Sequence, residues 1–271
     1  MISPSVTPAE ADIAAAVPRA PPTLAQLEAL AGSAPMVEVD HLVAGYGYME
    51  ILHGFSLRAG RGRSLCLIGP NGAGKSTVLH AIYGLARVMA GTIRINGHDI
   101  TSLPPQQKLE AARMAYVLQD SSIFPDMTVL ENLLMGGYRM PLRHQAAAAA
   151  DRICTRYPAL GHRRSQRANV LSGGERRLLE IARALMMEPE VLLVDEPSIG
   201  LSPRNIDMVF EILSELRDAA GKTIILVEQN ARKGLEFADV GYVLVAGQLV
   251  MAGSGEALRQ DPDVGRRFLG I

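Results

Sequence analysis

Cysteine is scarce: 271 residues contain two, Cys66 and Cys154, far apart and outside any metal-type spacing. Cys66 lies in the apolar run SLCLI and reads as a small core residue, and so few cysteines suit a reducing compartment. The six histidines show no HExxH-like clustering, which argues against a zinc site. Long apolar runs are missing too. Charged residues or glycines interrupt every hydrophobic stretch before the ~18 residues needed to span a bilayer, so the chain is not expected to cross a membrane by itself. The first 35 residues lack the basic start and unbroken apolar core of a signal peptide. An excess of one charge is also absent. Lys and Arg number 27 against 28 Asp and Glu, a net charge of -1 that gives no reason to expect nucleic acid. Arg163, Arg164 and Arg167 cluster, and read as a solvated surface. There is no internal repeat, so one copy of one module is expected.

What is present is ordinary globular material, 48 % hydrophobic and 20 % charged, enough for one large domain or two small ones. Residues 1–35 are rich in Ala and Pro (SPSVTP, AVPRAPPT) and are expected to be a mostly disordered extension. Within them TLAQLEAL can form two helical turns, but an isolated helix that short is marginal. Met36 opens the first clear strand and is an alternative translation start, which the intact mass of the native protein would test.

From residue 37 the pattern is regular. VEVDHLV and ILHGFSL read as strands. SLCLI leads through a glycine-rich turn into a helix from about Lys75 to Leu85, and GTIRING and MAYVL read as further strands. Between about 124 and 187 strand signals vanish, and helical stretches follow, including HQAAAAADRICTRY. Strands return as VLLVD, TIILVE and VGYVLVA around the helical NIDMVFEILSELRDAAG. The alternation predicts an α/β core with parallel strands, and the strand-free middle a helical insertion.

Three stretches carry chemistry. GPNGAGKS, residues 69–76, fits G-x-x-x-x-G-K-[ST] between a strand and a helix. Gly69, Gly72 and Gly74 allow a loop, completed by Pro70, Asn71 and Ala73, whose amides wrap phosphate oxygens. Lys75 reaches the β and γ phosphates, Ser76 offers its hydroxyl to Mg²⁺, and Thr77 follows in the same first helical turn. VLLVDEPS, residues 191–198, is a buried strand ending in two carboxylates. Asp195 can hold Mg²⁺ through its water shell, and Glu196 can polarise an attacking water. LSGGERRLLEIARAL, residues 171–185, is an amphipathic helix whose first turn holds two adjacent glycines. A capping box accounts for Ser172 and Glu175. It does not account for Gly173 and Gly174, each costing about 1 kcal/mol in a helix, and a bare helix N-terminus offers amides to an anion.

With phosphate loop, LSGGE and the Asp-Glu strand in this order, the chain resembles the ATP-binding subunits of ABC transporters over about residues 36–271. The resemblance implies a P-loop NTPase core with an N-terminal antiparallel β subdomain and a helical subdomain at about 124–187. It also implies that two such domains stack head to tail, each ATP lying between the phosphate loop of one and the signature of the other. Ser172, Gly173, Gly174 and Glu175 would then meet a nucleotide that the partner holds. Tyr46 matches the aromatic residue that stacks on adenine, with Tyr48 the competing candidate. Gln119 matches the glutamine that senses Mg²⁺ and the attacking water while its loop touches the membrane partner. SIGLSP, residues 198–203, occupies the segment crossing the dimer interface but departs from the commoner SALD form.

VEQNA, residues 227–231, is the clearest departure: Gln229 stands where most relatives place a histidine that bonds the γ-phosphate. Its amide can donate the same hydrogen bond but carries no charge, so hydrolysis should persist with weaker electrostatic help. VEQNA, EPSIGLSP and the ending GSGEALRQDPDVGRRFLGI resemble the ATPases of branched-chain amino acid importers. This chain is similar to the shorter of the two that pair there, whose companion carries the histidine. The resemblance therefore implies a second ABC ATPase subunit, as a heterodimer or a homodimer, two transmembrane permease subunits and, indirectly, a solute-binding protein. Such a subunit lies peripherally on the cytoplasmic face of the membrane. Relatives serving urea or short amides share much of the pattern, and a soluble ABC protein is the alternative of a different class.

Overall fold

The computed structural model describes residues 21–32, 35–119 and 122–269. In chain order the strands are β1 (Pro35–Tyr46), β2 (Met49–Gly60), β3 (Ser64–Ile68), β4 (Arg87–Ile95), β5 (His98–Asp99), β6 (Met114–Val117), β7 (Val191–Asp195), β8 (Thr223–Val227), β9 (Val240–Val245) and β10 (Gln248–Ser254). The chain divides into two compact units. One holds the residues up to Pro104 and those from Ile225 onward, and the other is Pro105–Ile224.

In the first unit, β1 pairs antiparallel with both β2 and β4, and β4 with β5, giving the expected antiparallel sheet in the order β2-β1-β4-β5. Beside it β3, wholly buried, pairs in parallel with β9, as an apolar run without alternation predicts. Antiparallel β10 extends this layer through a two-residue turn, Ala246–Gly247, with φ of 45° and 75°. Two successive positive φ values mark the tight hairpin turn whose twist matches the strands it joins. After β3 the glycine-rich loop leads to the helix Lys75–Tyr83, which ends on Gly84 in the left-handed conformation, two residues before the expected Leu85.

The extension is where sequence and structure part. Residues 1–20, 33 and 34 lie outside the described residues, but Leu24–Ala31 is a helix instead of disordered chain. Thr23 and Gln26 form a complete capping box, and Leu27 and Ala31 are buried. The Arg63 guanidinium donates to the Leu30 carbonyl at 3.0 Å, and the Ala31 carbonyl lies where a Cβ on Gly60 would be. Tertiary packing on the end of β2 supplies what two isolated turns lack.

In the second unit β6 and β7 pair in parallel, and no strand interrupts the helices Val129–Gly136, Arg143–Arg156, Pro158–Gly161 and Gly173–Leu185. The five-alanine stretch lies inside the helix Arg143–Arg156 and buries Ala146, Ala149, Ala150 and Ile153. Arg163 and Arg164 pair with Glu175 at 2.7 Å and Asp151 at 2.6 Å. Both cysteines are free, and burial pushes the Cys66 thiol pKa well up, with Glu228 adding to the effect.

Candidate functional site

The residues singled out from sequence fall into two groups, one in each unit. In the first, the loop Gly69–Gly74 owes its path to backbone that other residues cannot adopt. Gly69, Gly72 and Gly74 have φ of 153°, 80° and 96°. A Cβ on Gly69 would stand 2.1 Å from the Leu244 carbonyl oxygen, and one on Gly74 3.0 Å from the Leu52 side chain. The β9–β10 turn buttresses the loop from behind. The Gly247 amide donates to the Ala73 carbonyl at 2.9 Å, and the His53 amide of β2 donates to the Gly247 carbonyl at 3.0 Å. Gly247 was not singled out from sequence, although Ala-Gly between two apolar runs is a hairpin signal.

Gly74 caps the helix Lys75–Tyr83 without a side-chain bond, so the amides of Lys75, Ser76 and Thr77 open the helix at its positive end. Lys75 is buried, its Nζ donating to the carbonyls of Gly69 at 2.9 Å and Pro70 at 3.0 Å. The ammonium is curled inside the turn of its own loop. A glycine-rich cradle built on positive-φ backbone, with a cation folded into it, fits a polyphosphate.

Tyr46, the last residue of β1, shares a short hydrogen bond with His80 on the helix that follows the loop, their rings meeting edge to face at 6.0 Å. Tyr48 is 97 % exposed against 45 % for Tyr46, so of the two candidates Tyr46 is the one held beside the phosphate-loop helix. Gln229 is exposed just beyond β8. Its neighbour Glu228 is buried and accepts from the Asn230 amide at 2.9 Å.

In the second unit, β6 and β7 run side by side and place their C-terminal residues together. Tyr116 donates its hydroxyl to Asp195 Oδ2 at 2.8 Å. Asp195 is 2 % exposed, and a buried carboxylate fixed by a hydroxyl is a hard oxygen donor of the kind Mg²⁺ takes, directly or through water. Gln119 donates from Nε2 to Glu196 Oε2 at 3.0 Å. Glu196 is buried with φ of 41°, a left-handed conformation that costs a non-glycine residue about 1–3 kcal/mol. The partners Tyr116–Asp195 and Gln119–Glu196 are 79 and 77 residues apart, so only the pairing of β6 with β7 reveals them.

The capping box at the start of Gly173–Leu185 is present in full, the Ser172 amide donating to Glu175 Oε2 at 2.9 Å and the Glu175 amide to Ser172 Oγ at 3.3 Å. Burial raises the Glu175 pKa, but the bonds from Ser172 and the Arg163 guanidinium outweigh it and hold the carboxyl below its usual value. The two glycines differ. A Cβ on Gly174 would lie 2.7 Å from the Asn205 side chain, so packing inside this unit explains its small size. A Cβ on Gly173 would meet only Leu201, at an ordinary 3.6 Å. Neither has a positive φ. Nothing in the described residues requires glycine at 173, and Ser172 beside it is exposed.

Comparison with known proteins identifies the family. The family model described as ABC transporter matches residues 52–199. The high-affinity branched-chain amino acid transport ATP-binding protein BraG of Pseudomonas aeruginosa is 40 % identical over 235 residues, covering 87 % of this chain and all of that protein. The probable branched-chain amino acid transport ATP-binding protein LivF of Archaeoglobus fulgidus is 36 % identical over 87 % of this chain and 99 % of its own length. Among solved structures, the ADP conformation of MJ1267, an ATP-binding cassette of an ABC transporter, superposes with a TM-score of 0.78 at 29 % identity, covering 88 % of this chain and all of that one. The chain, with its phosphate loop, LSGGE turn and Asp195-Glu196 strand end, belongs to the ATP-binding subunits of ABC transporters.

Proposed function

We propose that this chain is the ATPase of an importer for branched-chain amino acids, working against a second ATPase subunit and driving two membrane permease subunits. The observation that carries the hydrolytic part is the Gln119–Glu196 hydrogen bond of 3.0 Å at the end of β7. The cargo is inferred from BraG and LivF, whose names assign them that transport and whose whole lengths this chain matches. Among the described residues no helix is long and apolar enough to cross a membrane, and attachment to the cytoplasmic face through permeases is inferred from the transport role of these relatives.

Each residue then has a task. The amides from Asn71 to Thr77 hold the β and γ phosphates, and Lys75 exchanges its loop carbonyls for phosphate oxygens. Tyr46, steadied by His80, offers its ring to adenine. Ser76, Asp195 and Gln119 would hold Mg²⁺, which would neutralise charge on the phosphates. Glu196 accepts a proton from the attacking water, with Gln119 keeping its carboxylate in place. Ser172, Gly173 and Gly174 bind the γ-phosphate of the nucleotide on the companion's loop, and Gln229 donates a neutral hydrogen bond where relatives have a histidine. ATP then favours the closed pair, ADP releases it, and the membrane helices follow. Glu196→Gln in the assembled complex should lower turnover by roughly 10²–10⁴-fold with ATP binding retained. Undiminished turnover would refute the reading.

A further inference from the structure

A row of charged side chains on the helix Gly173–Leu185 binds the backbone at Leu118, Gln119 and Ser122. Arg177 is buried, donating from Nη1 to the Leu118 carbonyl at 3.0 Å and from Nη2 to the Gln119 carbonyl at 3.2 Å. The same Nη1 pairs with Glu180 Oε2 at 2.7 Å, and Glu180, also buried, accepts from the Ser122 amide through Oε1 at 3.2 Å. One turn further on, Arg183 donates to the Ser122 carbonyl, and its guanidinium lies 4.9 Å above the Phe124 ring. Buried Asn132 closes the far end, accepting from the Phe124 amide at 2.8 Å and donating to its carbonyl at 2.9 Å.

A buried ion pair is a poor device for stability alone, because desolvating two charges offsets most of their attraction and apolar side chains of similar size often do as well. What the pair does supply is direction. Arg177 is a planar donor that reaches two successive carbonyls, and Glu180 takes up the amide beyond the loop. Residues 177, 180 and 183 recur at three-residue intervals, which puts them on one side of the helix.

We propose that Arg177 and Glu180 are positioning residues: their ion pair sets the backbone at Leu118, Gln119 and Ser122 from the helix that begins at the LSGGE turn, and so holds Gln119 against Glu196. The inference rests on the reading that Gln119 and Glu196 serve hydrolysis. It adds a connection. The helix that presents Gly173 to the companion's nucleotide also places the glutamine that serves this chain's own, so a shift of that helix on closure moves Gln119 with it.

The test is a cycle in the assembled complex. Arg177→Met and Glu180→Met are made together, removing both charges and leaving neither buried alone, in wild-type and Gln119→Ala backgrounds. Turnover, KM for ATP and melting temperature are measured for each. Misplacing one reacting group should lower kcat roughly ten- to a hundredfold with KM unchanged. In the Gln119→Ala background the same pair of replacements should change kcat by less than about twofold, since what they position is already gone. A folded double variant with wild-type kcat, or one whose loss simply multiplies that of Gln119→Ala, overturns the proposal. Arg177→Lys, which keeps the charge but not the planar fork, provides a second route if the double variant fails to assemble: it should lower kcat, and full activity would count against positioning. If Gln119→Ala alone leaves turnover intact, the hydrolytic role of Gln119 has failed, an outcome separate from failure of the clamp.

Discussion

Glycines stand at the start of the phosphate-loop helix and of the helix at the LSGGE turn for opposite reasons. At the phosphate loop the glycines are demanded from within. Gly69 and Gly74 have positive φ; the Leu244 carbonyl occupies the space of a Cβ on Gly69, and the Leu52 side chain stands 3.0 Å from one on Gly74. At the LSGGE turn the backbone is helical, Ser172 and Glu175 already cap it, and Gly173 faces only Leu201 at a normal contact distance. A loop whose shape is specified by its own chain is a complete binding element. On the proposed reading, a helix start that keeps a glycine its own chain does not need is half of one, completed by the companion subunit.

Substitutions at the two helix starts should separate these cases. Gly69→Ala should have the largest effect: a Cβ 2.1 Å from the Leu244 carbonyl oxygen forces the loop apart. It should destabilise the isolated chain by on the order of 3 kcal/mol and abolish its ATP binding, read by thermal melting and nucleotide titration. Gly173→Ala should leave both quantities unchanged in the isolated chain, or raise stability by up to about 1 kcal/mol. In the assembled complex it should cut turnover roughly a hundredfold, the size expected when a preorganised amide is screened from a developing anion. Equal damage to the isolated chain by both variants would erase the distinction.

Gly174→Ala is intermediate, since the added methyl must displace the Asn205 amide 2.7 Å away, at a cost of about 1 kcal/mol in melting. Asn205→Ala in the same chain should recover that stability without recovering complex turnover. The smallest effect is expected from Gln229→Ala. The loss of one neutral hydrogen bond to the γ-phosphate should slow the complex about three- to tenfold, and an unchanged rate would show that the side chain does not act there.

The same contrast explains what the sequence made legible. The phosphate loop was readable because its glycines, Lys75 and Ser76 lie within eight consecutive residues, 69–76, between an apolar run and a helix. The strands β3, β7, β8 and β9 were readable as short buried runs. Less local features were not. β10 was missed because Gln248–Ser254 is an edge strand with weak alternation, and Gly247 matters only through its bond to the Ala73 carbonyl. The helix Leu24–Ala31 showed its capping residues in sequence, but the packing that makes it stable comes from β2 and Arg63. Nothing in the sequence singles out Arg177 and Glu180, and only the fold shows them buried, with Arg177 bonded to the Leu118 and Gln119 carbonyls. Gly174 lost part of its puzzle to Asn205, whereas Gly173 kept its own.

The claim that this chain contributes half of a shared nucleotide grip is tested most directly by the structure of the complex with the companion ATPase, stalled by Glu196→Gln and saturated with MgATP. Ser172 Oγ and the Gly173 or Gly174 amide are predicted within about 3 Å of the γ-phosphate held by the companion's phosphate loop. A stalled, fully loaded complex in which the LSGGE turn touches no triphosphate would contradict it.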